Sequence, residues 1–183
     1  FSFSDGSVIQ GGGTMNLTSG AGTFTGSGAG LSVGSGTTLN VAGASIASSG
    51  NITMGSGATL GVTSGTLTLN TGTAFSGAGL LSVGGGTLTA ATPTVVDALS
   101  FSSGAINGAG ALTINSVFTW NDGTLSGAGA LNTNGTVNVT APVVGILNSK
   151  TWNNTGTINI PVGSGGLELN TATLNNLAGG SIN

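Results

Sequence analysis

The stretch Thr38-Leu39-Asn40-Val41 holds the pattern that decides the fold. Two apolar residues alternate with two polar ones, which is the period of a half-buried β-strand whose side chains point alternately inward and outward. Repetition of such a segment about every 21 residues is typical of a solenoid, in which each coil buries its apolar side only against its neighbours. The apolar pair recurs at intervals of 18 to 24 residues, as Met15/Leu17, Leu39/Val41, Leu60/Val62, Leu81/Val83, Leu99/Phe101, Phe118/Trp120, Val137/Val139 and Ile158/Ile160.

Two further series of apolar residues run in phase with this one, so each coil has three apolar segments. Gly-rich joints such as Gly34-Ser35-Gly36 and Gly84-Gly85-Gly86 separate the segments and predict turns. One series contains Phe24, Ile46, Leu67, Leu88, Ile106, Leu125, Ile146 or Leu147, and Leu167. The other contains Leu31/Val33, Ile52/Met54, Phe75, Val95, Leu112/Ile114, Leu131, Trp152 and Leu174.

We therefore expect an all-β fold, a three-sided parallel β-solenoid whose strands stack about 4.8 Å apart. The 183 residues would form one uncapped domain, residues 1–183, with about nine coils of about 21 residues in a rod about 40 Å long. We assume a right-handed β-helix because parallel crossover connections are usually right-handed. The alternative is a β-sandwich, but its strands need not keep a three-part register. The 37 glycines leave no room for a regular helical pattern.

The chain is almost uncharged. Only 3% of its residues carry charge, compared with about 25% in ordinary domains. With a single basic residue, Lys150, the chain cannot neutralise a row of phosphates, so we expect neither nucleic acid nor an anionic membrane surface as a partner. The sequence contains no run of about 18 apolar residues, so we predict no membrane insertion. The acids are Asp5, Asp97, Asp122 and Glu168.

Residues that commonly support catalysis are scarce. His and Cys are absent, which removes the commonest general base and thiolate chemistry. The four acids fall on different sides or distant coils of the predicted solenoid, which argues against a glycosidase-type carboxylate pair. Asp5 and Asp122 each precede Gly and are interpreted as turn residues, and the Gly-rich run 26–30 lacks the Lys-Ser/Thr of a phosphate-binding loop. We therefore predict no catalytic residue, no metal site, no cofactor and no enzymatic activity.

Two sets of outward polar residues predict side-chain ladders. Amides between the paired apolar residues, at Asn16, Asn40, Asn138 and Asn159, would hydrogen-bond from coil to coil in a structural role. A second set resembles the ice-binding faces of antifreeze solenoids, but it is interrupted, and Thr is itself a good strand former. Trp120 and Trp152 fall at inward positions, which argues against an exposed aromatic binding surface. The second set contains Thr23, Thr25, Thr66, Thr68, Thr87, Thr89 and Thr124.

Longer phrases carry a resemblance to known proteins. The segments Thr119-Trp120-Asn121-Asp122-Gly123-Thr124-Leu125-Ser126-Gly127-Ala128-Gly129 and Gly135-Thr136-Val137-Asn138-Val139 resemble the Gly/Thr/Asn-rich repeats of large secreted bacterial surface proteins. Autotransporter passengers and filamentous-haemagglutinin-like adhesins are the nearest groups. The resemblance covers the whole chain and lies in composition and repeat style. It implies an extracellular, non-enzymatic right-handed β-helix that serves as a stalk, adhesin or matrix component.

The repeat pattern also reaches both ends of the sequence. Natural solenoids usually cover their exposed strand edges with a polar or helical cap, and the sequence pattern indicates none here. We therefore expect the coils to continue past both ends, as more of the same polypeptide or as the next subunit stacked head to tail. The assembly ends would then contain Phe1, Phe3, Ile182 and Asn183. The leading function is a filament or stalk element. The alternative is an adhesin or a carbohydrate- or ice-binding surface, and an enzyme is third.

Overall fold

The computed structural model of the protein describes residues 1–140 and 145–183. These residues form 25 β-strands and no helix. Every strand pairing is parallel and joins equivalent strands of successive coils. The protein is therefore a parallel β-solenoid, as the repeat predicts. It has about 8 turns of about 21 residues, one fewer than the expected nine.

The first face carries the apolar pairs that define the repeat. In the described residues it has nine strand segments. Two of them are the first parts of long strands that continue around a corner into the second face. Its strands are β3 (Thr14–Leu17), β6 (Thr38–Val41), β9 (Thr59–Val62), the first part of β12 (Leu80–Ala90), the first part of β14 (Ala98–Asn107), β16 (Val117–Trp120), β19 (Thr136–Val139), β22 (Thr157–Asn159) and β25 (Ser181–Ile182).

The second face follows the first along the chain and also has nine described segments. The second parts of β12 and β14 belong to it, so these two strands hold the first and second faces in one continuous sheet. Its other strands are β1 (Ser2–Phe3), β4 (Ala21–Phe24), β7 (Ser45–Ser48), β10 (Thr66–Leu69), β17 (Thr124–Ser126), β20 (Gly145–Asn148) and β23 (Leu167–Asn170).

The third face is divided into two sheets of four and five strands, with no pairing between β11 and β13. The first of these sheets has β2 (Ser7–Ile9), β5 (Leu31–Val33), β8 (Asn51–Met54) and β11 (Ala74–Gly77). The second has β13 (Thr94–Val96), β15 (Leu112–Ile114), β18 (Leu131–Thr133), β21 (Thr151–Asn154) and β24 (Thr173–Asn176).

We call the same position in successive coils a column. On the first face the apolar pairs fall into two inward columns, as predicted, and the side chains between the two end coils are buried. Burial of such apolar columns is the main force that holds stacked coils together. One column contains Met15, Leu39, Leu60, Leu81, Leu99, Phe118, Val137, Ile158 and Ile182.

The core contains both tryptophans, as the sequence predicts. Trp120 and Trp152 are fully buried. The ring of Trp120 lies 5.8 Å from Phe118, 6.2 Å from Phe101 and 6.1 Å from Trp152, centroid to centroid. These distances fall within the range of favourable aromatic pairs. Of the five largest fully buried side chains in the described residues, all but Phe24 thus lie in the middle and later coils.

On the second face, one open alternative is resolved and one assignment is wrong. Leu147, rather than Ile146, continues the inward column of Leu67 and Leu125, and Leu169, not Leu167, follows it. A period of two tells which residues share a side of the strand, but it does not identify the partner in the next coil. An inward position two residues away along the same strand belongs to a different column.

Phe24 occupies that neighbouring inward column, together with Ser48 and Leu69, and does not lie in the Leu67 column. The Leu67 column reaches β4 at Gly22, which pairs with Ile46. The assignment of Phe24 to the Leu67 series is therefore wrong by two residues. Both positions point inward, so the sequence pattern alone did not distinguish them.

The assignment of Val95 is also wrong. Its side chain is 50% exposed and pairs with the outward Thr113, whereas Thr94 and Val96 are buried. The segment Thr94-Val95-Val96 presents one valine inward in either phase, so alternation does not decide between them. Pairing of Val96 with the buried Ile114 sets the phase.

Candidate functional site

The two end coils expose side chains of the inward columns. Phe1 is 51% and Met15 is 38% exposed at one end, and Leu169 is 45% and Ile182 is 47% exposed at the other. Equivalent side chains in the coils between them are buried because a neighbouring coil covers each one. The described chain therefore presents two apolar end surfaces. We call the end with Phe1 and Met15 the leading end, and the end with Leu169 and Ile182 the trailing end.

The four residues predicted at the ends occupy these two surfaces. Phe3 is half-buried at the leading end, where its ring meets Phe24 edge-on at 5.5 Å between centroids. Ile182 and Asn183 lie at the trailing end, and the side chain of Asn183 points outward from the first face beside Asn159. Two aromatic residues, Phe1 and Phe3, thus lie at one end, while an aliphatic residue and an amide lie at the other.

Amides on the outward side of the first face bond from coil to coil, as the sequence predicts, in the first two coils and in the last three. The column between them contains Gly61, Ser82, Ser100 and Thr119. The Nδ2 of Asn40 donates to the Oδ1 of Asn16 at 2.9 Å. In the later coils, Asn159 donates to Asn138 at 3.0 Å and Asn183 donates to Asn159 at 3.1 Å. In each bond the residue of the later coil is the donor. These bonds, which we call the first-face amide ladder, therefore have one direction along the rod.

Further ladders on the third face were missed by sequence analysis. The Nδ2 of Asn132 donates to Thr113 Oγ1 at 3.2 Å, Asn153 donates to Asn132 at 3.0 Å, and Asn175 donates to Asn153 at 3.0 Å. At the adjacent corner, Asn134 donates to Asn115 at 2.9 Å. Donation again runs from the later coil to the earlier one. The recurrence of Asn about every 21 residues was the available signal.

A polar group inside the later coils is fully hydrogen-bonded. The indole Nε1 of Trp152 donates to Thr133 Oγ1 at 2.8 Å, and this hydroxyl donates to Asn154 Oδ1 at 2.9 Å. The Nδ2 of Asn154 donates to Asn176 Oδ1 at 2.9 Å and to Gly156 O at 2.9 Å. Satisfied groups of this kind fix the packing of a core without the cost of an unpaired polar atom.

The second set of outward threonines is interrupted, as the sequence indicates. Thr66 pairs with Thr87, and Thr68 pairs with Thr89, which forms a patch of four half-buried threonines on the second face. We call these four residues the threonine patch. Beyond it the columns continue as Ala105 and Asn107, and Thr124 pairs with Ala105. The patch therefore spans only two coils.

The placement of Thr23 and Thr25 in the predicted ladder is wrong. Thr23 pairs with Ala47, which stands in the column of Thr68. Thr25 lies past the end of β4 and its hydroxyl contacts the carbonyl of Phe3 at 3.5 Å. The physical reason is the register of Phe24, which is shifted by two residues relative to the predicted column.

The four acidic residues lie in different coils of the solenoid. Asp5 lies in a turn, as predicted, and its Oδ1 accepts hydrogen bonds from the backbone N–H groups of Gly28 at 3.0 Å and Gly30 at 2.9 Å in the next coil. Asp122 accepts a hydrogen bond from the N–H of Gly123 at 2.6 Å. Among residues 1–140 and 145–183, no three His, Cys, Asp or Glu side chains lie close enough together to hold a metal ion.

Lys150 is buried at a corner between the second and third faces. Its Nζ donates to the backbone carbonyl of Ser126 at 3.0 Å. Burial lowers the pKa of Lys150 because the charged ammonium loses contact with water. The neighbouring Ser149 and Thr171 adopt left-handed backbone angles, with φ of 52° and 50°, and their hydroxyl oxygens lie 2.9 Å apart. Lys150 therefore has a structural place within a tight corner.

Within the described part of the chain, no helix is long and apolar enough to cross a membrane. Comparison of the chain with protein-family models, curated proteins and solved structures gave no match. Function must therefore be inferred from the surfaces and ladders of the rod.

Proposed function

We propose that this protein is a structural element of an extracellular filament or stalk, in which β-coils continue from end to end. The observation that carries this proposal is the continuous stack of equivalent parallel strands, whose inward apolar columns run from coil to coil. The end strands β1, β2 and β3 each pair on one side only, as do β23, β24 and β25. Each end thus offers strand edges and apolar side chains together.

The chemistry of these edges favours addition of another coil. An unpaired strand edge is a template for pairing, and natural proteins usually protect it with charge, proline or a cap. Here the single lysine is buried, and the last strand of the second face contributes one carboxylate, Glu168. A coil from the same polypeptide or from a second subunit would cover the apolar columns and satisfy the edge. Contacts of this kind that do not close produce open filaments.

The sides of the rod also suit a structural role. Their outward columns consist mostly of Ser, Thr, Asn and Gly, many of them bonded to each other along the rod. We expect no enzymatic activity, because the chain has no His and the acids lie apart. The extracellular location rests on the resemblance of the repeats to those of secreted bacterial surface proteins.

Self-association of the purified chain tests the proposal. Light scattering after size exclusion, over a range of concentrations, should show oligomers that grow with concentration, and electron microscopy should show unbranched rods. The variant Ile182→Lys places a charge on the trailing end and should reduce assembly. Val117→Lys is the matched control, because Val117 is exposed on the side of the rod. A wild-type chain that stays monomeric at every concentration would contradict end-to-end assembly of separate subunits.

The second candidate is an adhesin or a carbohydrate- or ice-binding surface. The threonine patch favours it, because four hydroxyl-bearing residues lie side by side on a flat parallel sheet. Retention on an insoluble polysaccharide, or inhibition of ice growth, would support this function if Thr68→Val combined with Thr89→Val abolished it. The same double substitution at Thr59 and Thr38, which pair on the first face, provides a matched control.

A further inference from the structure

We infer that a second copy of this chain binds the outward side of the first face, with the two rods side by side and antiparallel. The two-fold axis of this dimer would lie parallel to β14 and pass between the two copies of Ala98 and of Ser100. This inference goes beyond the proposed function, because it concerns the side of the rod and not growth along its axis. The residues that carry it lie in the interior coils.

One outward column of the first face has an apolar middle. Leu80 pairs with Ala98, and the register of Leu99 with Phe118 places Val117 next in the same column. Leu80 and Ala98 are half-buried and Val117 is 41% exposed, so the three form an apolar patch on the side of the rod. Threonines flank the patch on both sides. In order, the column contains Thr38, Thr59, Leu80, Ala98, Val117, Thr136 and Thr157.

The other outward column has small hydroxyl residues in its middle and amides farther out. Its middle residues, Ser82, Ser100 and Thr119, lie beside the apolar patch. In order, the column contains Asn40, Gly61, Ser82, Ser100, Thr119, Asn138 and Asn159. Both columns therefore have nearly the same order of residue types in either direction from β14, with Gly61 in the place that corresponds to Asn138.

A surface with this order is complementary to itself, which is what a two-fold dimer requires. Rotation of a second copy by half a turn about an axis parallel to β14 places Leu80 against Val117 and Ala98 against Ala98. The same rotation places Asn40 against Asn159. Apolar side chains would then face apolar side chains, and amides would face amides.

Parallel rods would lack this complementarity. Each coil would face the same coil of the second copy, and the two outward columns would exchange places. Leu80 would then face Ser82, and Val117 would face Thr119. Such contacts remove hydroxyl groups from water against apolar side chains that offer them no hydrogen bond. The order of the residues therefore favours the antiparallel pair.

The charge distribution also favours the first face. Neither of its two outward columns contains a charged residue in the described chain, and the nearest charge is Asp97, exposed at the corner before Ala98. In the dimer this carboxylate would lie at the rim, in water. An apolar middle with a polar rim is the usual arrangement of protein interfaces. The second face, in contrast, carries the exposed Glu168, and the third face is divided between β11 and β13.

The area of the face is sufficient for a weak dimer. Its nine described strand segments cover about 38 Å along the rod and about 13 Å across it, so two copies would bury about 1,000 Å² in total. This value is close to the lower limit for a specific interface. The dimer should therefore dissociate on dilution.

Crosslinking through introduced cysteines tests the arrangement on the full chain. The protein has no cysteine of its own, and packed sheets lie about 10 Å apart, a distance that a short bis-maleimide spans. Because position 98 lies next to the two-fold axis, the single variant Ala98→Cys should give a dimer of twice 17.2 kDa on a denaturing gel. Thr53→Cys is the matched control, since Thr53 is exposed on the third face, and it should give none. Equal yields from the two variants would overturn the inference.

A second pair of positions determines the direction of the rods. Thr59 lies two coils before β14 and Thr136 two coils after it. In the antiparallel pair the two copies of Thr59 are about 19 Å apart along the rods, so Thr59→Cys alone should give no dimer. Thr59→Cys combined with Thr136→Cys should give one, because these positions face each other across the interface. Crosslinking of Thr59→Cys alone at the yield of Ala98→Cys would overturn the inference in favour of parallel rods.

The apolar patch is tested by a charge placed within it. Val117→Lys, added to Ala98→Cys, should lower the yield of dimer about tenfold at a fixed concentration, because the ammonium would face Leu80 of the second copy without a partner. Val95→Lys is the matched control, since Val95 is 50% exposed on the third face, and it should leave the yield unchanged. An unchanged yield with Val117→Lys would overturn the inference.

Electron microscopy of the same samples separates this inference from the proposed function. Rods without dimers of Ala98→Cys would overturn side-by-side pairing and leave filament formation standing. Dimers of Ala98→Cys without rods would support the pairing and contradict end-to-end assembly of separate subunits. The expected result is dimers of Ala98→Cys together with paired rods, which become single rods in Val117→Lys.

Discussion

Replacing Trp152 with Phe should cost more stability than replacing Trp120 with Phe, because only one of the two indoles has a hydrogen-bond partner. Both side chains are fully buried. The Nε1 of Trp152 donates to Thr133 at 2.8 Å, whereas in the described residues the Nε1 of Trp120 has no acceptor. The two substitutions remove the same atoms, so the loss of ring volume largely cancels in the comparison.

The difference can be estimated from these contacts. Trp152→Phe loses a hydrogen bond with a net contribution of about 1 kcal/mol. Trp120→Phe removes a buried N–H group without a partner, whose presence costs about 1 to 3 kcal/mol. The free energy of unfolding should therefore be lower for Trp152→Phe than for Trp120→Phe by at least about 2 kcal/mol. Phe at position 120 would still stack on Phe101 and Phe118.

Urea unfolding followed by far-ultraviolet circular dichroism measures this difference, with extrapolation of the free energy to zero urea. Each variant retains one tryptophan, whose fluorescence provides a second probe of the same transition. Coincident curves from the two probes would show that the rod unfolds in one step. Equal destabilisation by the two substitutions, or the opposite order, would refute the reasoning from hydrogen bonding.

Three further substitutions test other parts of the rod. Ser48→Ala should raise the free energy of unfolding by about 1 kcal/mol, measured by urea unfolding, because the buried Oγ has no partner among the described residues; a loss of stability would contradict this. Gly135→Ala should lower it by about 3 kcal/mol, since a Cβ there would overlap the carbonyl oxygen of Ser116, whereas the Cβ of Gly13→Ala meets no atom within 4 Å and should have little effect. Burial lowers the pKa of Lys150 below its ordinary 10.5, so the unfolded chain binds more protons just below pH 10.5, and stability should rise with pH in that window. In Lys150→Met this rise should disappear from the pH series of unfolding curves, as the chain has no Tyr, Cys or His, and an unchanged slope would contradict the assignment.

The three faces of the solenoid were predictable, because local alternation marks the strands and Gly-rich segments mark the corners between them. Leu39 and Val41 are separated by one polar residue, and the equivalent pairs recur in eight coils of the sequence. Burial in a stacked coil requires this alternation, so the pattern and the structure have one cause. The first-face amide ladder was predictable for the same reason, because Asn40 lies between two inward residues.

The partner of each residue in the next coil was harder to predict. The interval between coils varies from 18 to 24 residues, so residues that share a side of the rod are not assigned to one column by counting. Thr23 was placed beside Thr66 but lies in the column of Thr68, and Val95 was placed inward but points outward. Tertiary pairing decides such cases, and a shift of one residue reverses the direction of a side chain.

The side-chain partners in the core were beyond prediction for a related reason. Trp152 and Trp120 both fall on inward positions of the sequence pattern, yet only Trp152 lies within reach of a hydroxyl, that of Thr133. This difference depends on how close the indole lies to a side chain of the adjacent coil, which the alternation within one strand does not specify. The candidate end residues, in contrast, follow from the columns alone.

The interruption of the third face has a mechanical consequence. Two faces carry hydrogen-bonded strands without a break, while the third has no pairing between β11 and β13. Bending that separates β11 from β13 meets the least resistance, because no strand pairing joins them. The rod should therefore flex at its midpoint, with the third face on the convex side and the sheet joined by β12 and β14 serving as the hinge.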